Sequence, residues 1–170
     1  MTTIAIDKNY QFVCDSRLIG AKVCTCKKWF KYKTNGAGGW KTISYFAFCG
    51  NRIDGLKFQI WAEDGFKLKK YPKLGENFLA MELRVMKKSV IEKSSGKVSI
   101  KEIEHKVFLW ESECPHGDLL EEVNLSYSIG SGAGYAIGAM DYGASAKEAV
   151  FIAAKNDEYT GGEIVVIYEP

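Results

Sequence analysis

Apolar and polar side chains alternate from the first positions of the chain. Thr3–Ile6 and Gln11–Cys14 follow this period of two around Asp7-Lys8-Asn9, which predicts two strands joined by a hairpin turn. Further strand-like runs are Val23–Thr25, Trp29–Lys33 and Thr42–Phe48, with Asn35-Gly36-Ala37-Gly38-Gly39 as the loop between the last two. The period then changes. Ile53, Leu56, Ile60 and Trp61 recur with helical spacing, predicting a helix from residue 51 to about residue 63.

Pro72 and Gly75 interrupt the middle, and strands are expected over Phe78–Val85 and Lys106–Trp110 around the polar loop Lys93-Ser94-Ser95-Gly96. Leu125–Ile129 reads as a strand, Gly130-Ser131-Gly132 as a tight turn, and Ala133–Met140 as a helix of small residues. Ser145-Ala146-Lys147-Glu148 has the form of a capping box, and Ala149, Val150 and Ala153 supply the apolar face of a helix running to about Asn156. A loop over Asp157–Gly162 leads to a last strand, Glu163–Tyr168. Strands, helix, strands, two helices and a strand show no βαβ alternation, so the expected class is α+β with antiparallel sheets covered by helices.

At 170 residues the chain is expected to form one domain, 1–170, with a core large enough to need no staples. Its 23 basic and 21 acidic residues are interspersed, so no strong field is present to attract nucleic acid. Asp7, Lys8, Asp15 and Arg17 interrupt any secretory apolar segment, and no run is long enough to span a bilayer. A soluble, cytoplasmic protein is therefore expected. The five cysteines, Cys14, Cys24, Cys26, Cys49 and Cys114, have no framework spacing and read as reduced thiols. Cys24 and Cys26 share a strand face, but His105 and His116 are remote and lack zinc spacing, so no metal or organic cofactor is expected.

Four stretches carry candidate chemistry, and each has a plain alternative. The segment IGSGAGYAIG (129–138) follows a strand and opens a helix, yet Tyr135 stands where a dinucleotide fingerprint needs glycine, and Gly-Lys-Ser/Thr is absent. Close backbone packing is the simpler account, with Ser131 presented at the mouth of the turn. Asp15-Ser16-Arg17 taken alone reads as a solvated ion pair. Lys27-Lys28 reads as a charged strand edge, and Asp157-Glu158-Tyr159-Thr160-Gly161-Gly162 as a loop.

In order along the chain, six pieces change that weighting. Thr2-Thr3-Ile4, Asp15-Ser16-Arg17, Lys27-Lys28-Trp29-Phe30, Phe48-Cys49-Gly50-Asn51, Ile129-Gly130-Ser131-Gly132 and Asp157-Glu158-Tyr159-Thr160-Gly161-Gly162 together resemble the catalytic β-subunits of the proteasome and, in length and start, the HslV-type peptidase. Residues 67 to 123 do not match, and look like a shortened second helix with extra strands, as in phage-encoded or bacterial relatives. The resemblance implies a four-layer αββα sandwich of the N-terminal nucleophile hydrolases. It also implies a threonine-type endopeptidase in a homo-oligomeric ring, six- or seven-fold, acting on peptides or unfolded proteins, with an ATPase unfoldase as a possible partner.

The chemistry fits those residue types. A threonine hydroxyl is a weak nucleophile, and an α-amine on the same residue, with a reference pKa of roughly 8, can take its proton. Removing Met1 would free that amine on Thr2. The resemblance assigns Lys28 as the cation beside the nucleophile, held by Asp15, and Ser131 and Asp157 as the pair around the terminal amine. Thr160 replaces a family serine, and Arg17 ties the Asp157 loop to the nucleophile strand. The oxyanion donor would be the Ala47 N–H, where the family usually has glycine. Leu18, Cys26, Phe30, Tyr45 and Cys49 would line a pocket for apolar or aromatic side chains, and Ile53, Phe58 and Trp61 would supply part of a ring interface. Two rivals stay open: an inactive ring scaffold or virion or regulatory component, favoured by Ala47, and a small-molecule amidase.

Overall fold

The computed structural model describes residues 2–19, 23–35, 40–91, 98–113, 116, 118–120 and 125–170. The first hairpin joins β1 (Thr3–Ile6) to β2 (Phe12–Asp15), with Ile4 opposite Cys14 and Ile6 opposite Phe12. Its turn is built by Asp7, whose Oδ1 accepts the N–H groups of Asn9 (2.9 Å) and Gln11 (3.1 Å), while Oδ2 accepts the Ala146 N–H at 3.0 Å. One carboxylate thus fixes the turn and anchors a helix start.

β3 (Arg17–Ile19) and β4 (Val23–Thr25) form a short hairpin. β5 (Trp29–Asn35), β6 (Trp40–Cys49), β7 (Leu79–Ile91), β8 (Val98–Glu111) and β9 (Asp118–Leu120) make an antiparallel five-stranded sheet in chain order. β10 (Tyr127–Gly130) and β11 (Ile164–Tyr168) flank the first hairpin in a second antiparallel sheet, ordered β10-β1-β2-β11. The helices are α1 (Arg52–Glu63), α2 (Ala133–Asp141) and α3 (Ala146–Asn156). The protein is therefore α+β, with two larger antiparallel sheets and three helices among the described residues.

Three cores follow from strand alternation. Ile4, Ile6, Phe12 and Cys14 of the four-stranded sheet pack with Met81, Leu83, Val85 and Val107 of the five-stranded sheet. The alternate residues Ala5 and Val13 meet Ala136, Ala149, Val150 and Ala153 of α2 and α3. An aromatic core of Phe30, Phe46, Phe48, Phe58, Trp61 and Trp110 lies between α1 and the five-stranded sheet.

Helix α1 has the expected bounds, capped by Asn51 Oδ1 on the Ile53 N–H at 2.9 Å. Its buried face differs from the expected one. Phe58 and Trp61 enter the aromatic core, whereas Ile53, Leu56 and Ile60 point outward. Gly55 decides this rotation, because a Cβ there would sit 2.0 Å from the Phe48 ring and only glycine permits the close approach. Of the three residues expected at a ring interface, Ile53 alone is exposed.

The middle also departs from expectation. Between α1 and β7 the structure has a single 3-10 turn, Leu68–Lys70, where a shortened helix was expected. β7 and β8 extend well beyond the expected strands and pair from Leu79–Glu111 to Ile91–Val98. Residues 36–39 and 93–96 of the expected loops lie outside the described residues. The capping box at Ser145 and Glu148 is present in full.

Candidate functional site around Thr2 and Lys28

Thr2 immediately precedes β1 and is buried, as is Lys28, which precedes β5. Lys28 Nζ donates to Thr2 Oγ1 and to the Arg17 carbonyl, and it pairs with Asp15 Oδ1 at 3.6 Å. A buried ammonium needs oxygen partners to replace water. Asp15, at the end of β2, is completely buried and accepts the Thr3 N–H at 3.1 Å on Oδ1 and the Gly161 N–H at 2.7 Å on Oδ2. Lys27 is exposed, with its ammonium 4.3 Å from the Trp29 ring centre.

A second group forms around Asp157, the residue that follows α3 as its C-cap. Asp157 Oδ2 accepts the hydroxyls of Ser131 (2.6 Å) and Thr160 (2.5 Å), and Oδ1 accepts the Tyr159 N–H at 3.3 Å. Partial burial pushes this carboxyl up, but the hydrogen bonds outweigh it and hold Asp157 below the usual carboxylate range. Ser131 is placed by the turn after β10, where its N–H donates to the Thr2 carbonyl at 3.2 Å. That turn requires Gly130: its φ is +102°, and a Cβ would lie 1.7 Å from the Thr2 oxygen.

The two groups are joined by backbone and by Arg17. The Arg17 N–H donates to the Gly161 carbonyl at 2.9 Å, and its Nη1 donates to the Glu158 carbonyl at 2.6 Å. Ser16 Oγ accepts the Glu163 N–H at 2.8 Å. Thr2, Asp15, Arg17, Lys28, Ser131, Asp157 and Thr160 therefore converge from widely separated parts of the chain. Sequence reasoning missed two participants, Ser16 and Thr3. Thr3 was legible only as the neighbour of Thr2, and strand alternation turns it to the opposite face, toward Thr160.

The other expected site residues are placed differently. Phe48 N–H donates to the Lys28 carbonyl at 3.0 Å, so alternation turns the Ala47 N–H toward its partner Met81 in β7. Ala47 is fully buried between β5 and β7. Phe30 lies in the aromatic core under α1, stacked on Phe46 at 4.7 Å, while Tyr45 and Cys49 face the core between the sheets. Those three do not share one wall. Cys26 lines a cavity of about 410 Å³ with Cys14, Asp15, Ser16, Trp29 and Val165. Leu18 has a described backbone in β3 only.

Burial pushes the Cys14 thiol up to about 12 and the Cys49 thiol up to about 11, so neither is a thiolate nucleophile at neutral pH. Among the described residues, no three His, Cys, Asp or Glu side chains converge as metal ligands, and no helix is long and apolar enough to cross a membrane.

An α+β architecture with a lysine set on a buried threonine is the class of site these residues define. Solved structures of Anbu are similar to it over nearly the whole chain. The Anbu (Gly-1) mutant from Hyphomicrobium sp. strain MC1 is similar with a TM-score of 0.68 at 14% identity, over 99% of this chain and 82% of that one. Anbu (ancestral beta-subunit) from Yersinia bercovieri gives 0.58 at 12% identity, over 96% and 79%. No family model matches, and neither does any curated protein. At such identity the likeness shows the fold alone. It corrects the resemblance to proteasome β-subunits and HslV-type peptidases drawn from the six motifs, because the structures found similar here are of Anbu. Motifs of three to six residues trace a shared chain path but do not separate groups that follow it.

Proposed function

We propose that this protein is a threonine-type peptidase whose nucleophile is Thr2 after loss of Met1, acting on peptides or unfolded proteins. The observation that carries the reading is the hydrogen bond from the buried Lys28 ammonium to Thr2 Oγ1, with Asp15 as counter-ion. A buried ion pair contributes little net stability compared with apolar packing, whereas a cation on a hydroxyl favours its alkoxide. On this reading the freed α-amine takes the Thr2 hydroxyl proton as Oγ1 attacks a peptide carbonyl. The proton then passes to the leaving nitrogen, the C–N bond breaks, and water hydrolyses the resulting ester. A four-layer αββα sandwich of the N-terminal nucleophile type is supported by the three cores, one between the sheets and one under each set of helices, and the ancestral beta-subunit named in a similar structure supports a homo-oligomer.

One observation favours the rival, an inactive scaffold: the Ala47 N–H is turned into the sheet and away from the edge that would stabilise an oxyanion. The two readings separate on one experiment. Protein shown by intact mass to lack Met1 is incubated with a threonine-directed epoxyketone. Modification of Thr2 alone is expected, and an unmodified Thr2 in processed protein overturns the peptidase reading.

A further inference from the structure

Thr3 is absent from the chemistry above, yet it is completely buried and its hydroxyl has two polar partners. Gly132 N–H donates to Thr3 Oγ1 at 3.1 Å, and Thr3 Oγ1 lies 2.6 Å from Thr160 Oγ1. The direction of that second bond follows from proton counting. Thr160 has one hydroxyl proton, which goes to Asp157 Oδ2 at 2.5 Å, and a carboxylate can only accept. The proton between the two threonines must therefore come from Thr3. The result is a one-way chain, Gly132 N–H to Thr3 to Thr160 to Asp157, meeting the Ser131 hydroxyl at the same oxygen.

We propose that Thr3 is a positioning residue: its hydroxyl, held by Gly132, donates to Thr160 and obliges Thr160 to aim its own proton at Asp157. The geometry has a second layer. Thr3 also donates its backbone N–H to Asp15 Oδ1, the oxygen paired with Lys28. A single residue thereby touches the carboxylates of both groups, Asp15 through its backbone N–H and Asp157 through its hydroxyl and that of Thr160. Hydrogen bonds in series polarise one another, so removing the first hydroxyl weakens the last bond without touching it. That the effect reaches turnover rests on the peptidase reading; the effect on Asp157 does not.

The test reads Asp157 directly. Carboxyl carbon NMR, assigned through Asp157→Asn, follows its titration in the full chain. Thr3→Val is expected to raise the midpoint by about half a pH unit and Thr3→Ser to restore it. Identical titration in Thr3→Val and the parent overturns the proposal. In a Thr160→Val background, Thr3→Val should add no shift, and an added shift of equal size shows that Thr3 does not act through Thr160. Should Thr3→Val fail to fold, Thr3→Cys keeps the volume with a much weaker donor and carries the same expectation. In Met1-processed protein, Thr3→Val should lower kcat roughly tenfold at constant KM. A parent protein without hydrolysis removes the peptidase reading and leaves the titration to decide the role of Thr3.

Discussion

Lys28 and Lys27 are adjacent, yet one is inside and the other is in solvent. Lys28 is surrounded by the Thr2 hydroxyl, the Arg17 carbonyl and Asp15, while Lys27 covers the face of Trp29. On the proposed peptidase reading, Lys28→Ala should therefore abolish peptide hydrolysis, because Asp15 would be left buried without its counter-charge. Lys27→Ala should keep activity within about twofold of the parent, since an exposed cation over an aromatic ring contributes about 0.5–1 kcal/mol. Steady-state kinetics on both variants checks this, and equal losses would contradict the facing seen here. Asp157 carries a pH signature. Its carboxyl is held below the unfolded value, so its contribution to stability is present above about pH 4 and disappears as pH falls through the folded value. Asp157→Asn should cost roughly 1–2 kcal/mol in urea unfolding at pH 7 and progressively less in acid. A penalty that stays constant with pH would mean that its charge has no part in holding the loop.

At the scale of elements, the turn between β10 and α2 is the joint that brings the two halves of the site together. Its Gly130 has φ +102° and lies against the Thr2 carbonyl, while the following Ser131 N–H bonds that same carbonyl. Gly130→Ala would force the turn away from β1 and take with it both the Ser131 hydroxyl and the Gly132 N–H that holds Thr3. A destabilisation of more than about 2 kcal/mol is expected, with loss of activity in whatever protein still folds. Thermal unfolding and the same kinetic assay test it. Gly134→Ala, on α2 where a Cβ meets nothing within 4 Å, is the control and should be neutral or stabilising by up to about 1 kcal/mol.

The whole molecule leaves apolar surface that its own fold does not cover. Ile53, Leu56 and Ile60 on α1 are exposed at 62%, 46% and 67%, on the face opposite Phe58 and Trp61. On the proposed reading the protein is a homo-oligomer, and a heterologous contact that closes a ring would need such a face. Light scattering at micromolar concentration should then give a mass several times that of the chain, with activity falling on dissociation. A fully active monomer would remove the ring from the proposal and move weight to a small-molecule amidase.

The amino-acid sequence by itself determined the elements whose signals are local. Alternation at Thr3–Ile6, the Ser145 capping box and the apolar stripe of α3 all depend on neighbours within a few residues, and the structure carries each of them. The resemblance carried by the six ordered motifs also implied that Asp15, Lys28, Ser131, Asp157 and Thr160 lie in segments that meet. β3 and β9 were not legible locally, and become strands only by pairing with β4 and β8. Only the tertiary structure decided which way side chains face once strands pair. The orientation of α1 turned on how closely Gly55 could approach Phe48. Phe30 went to one side of the five-stranded sheet and Tyr45 to the other, because their strands pair Phe30 with Phe46 and Lys31 with Tyr45. A register is a long-range property, set by whole strands at once, and no local pattern carries it.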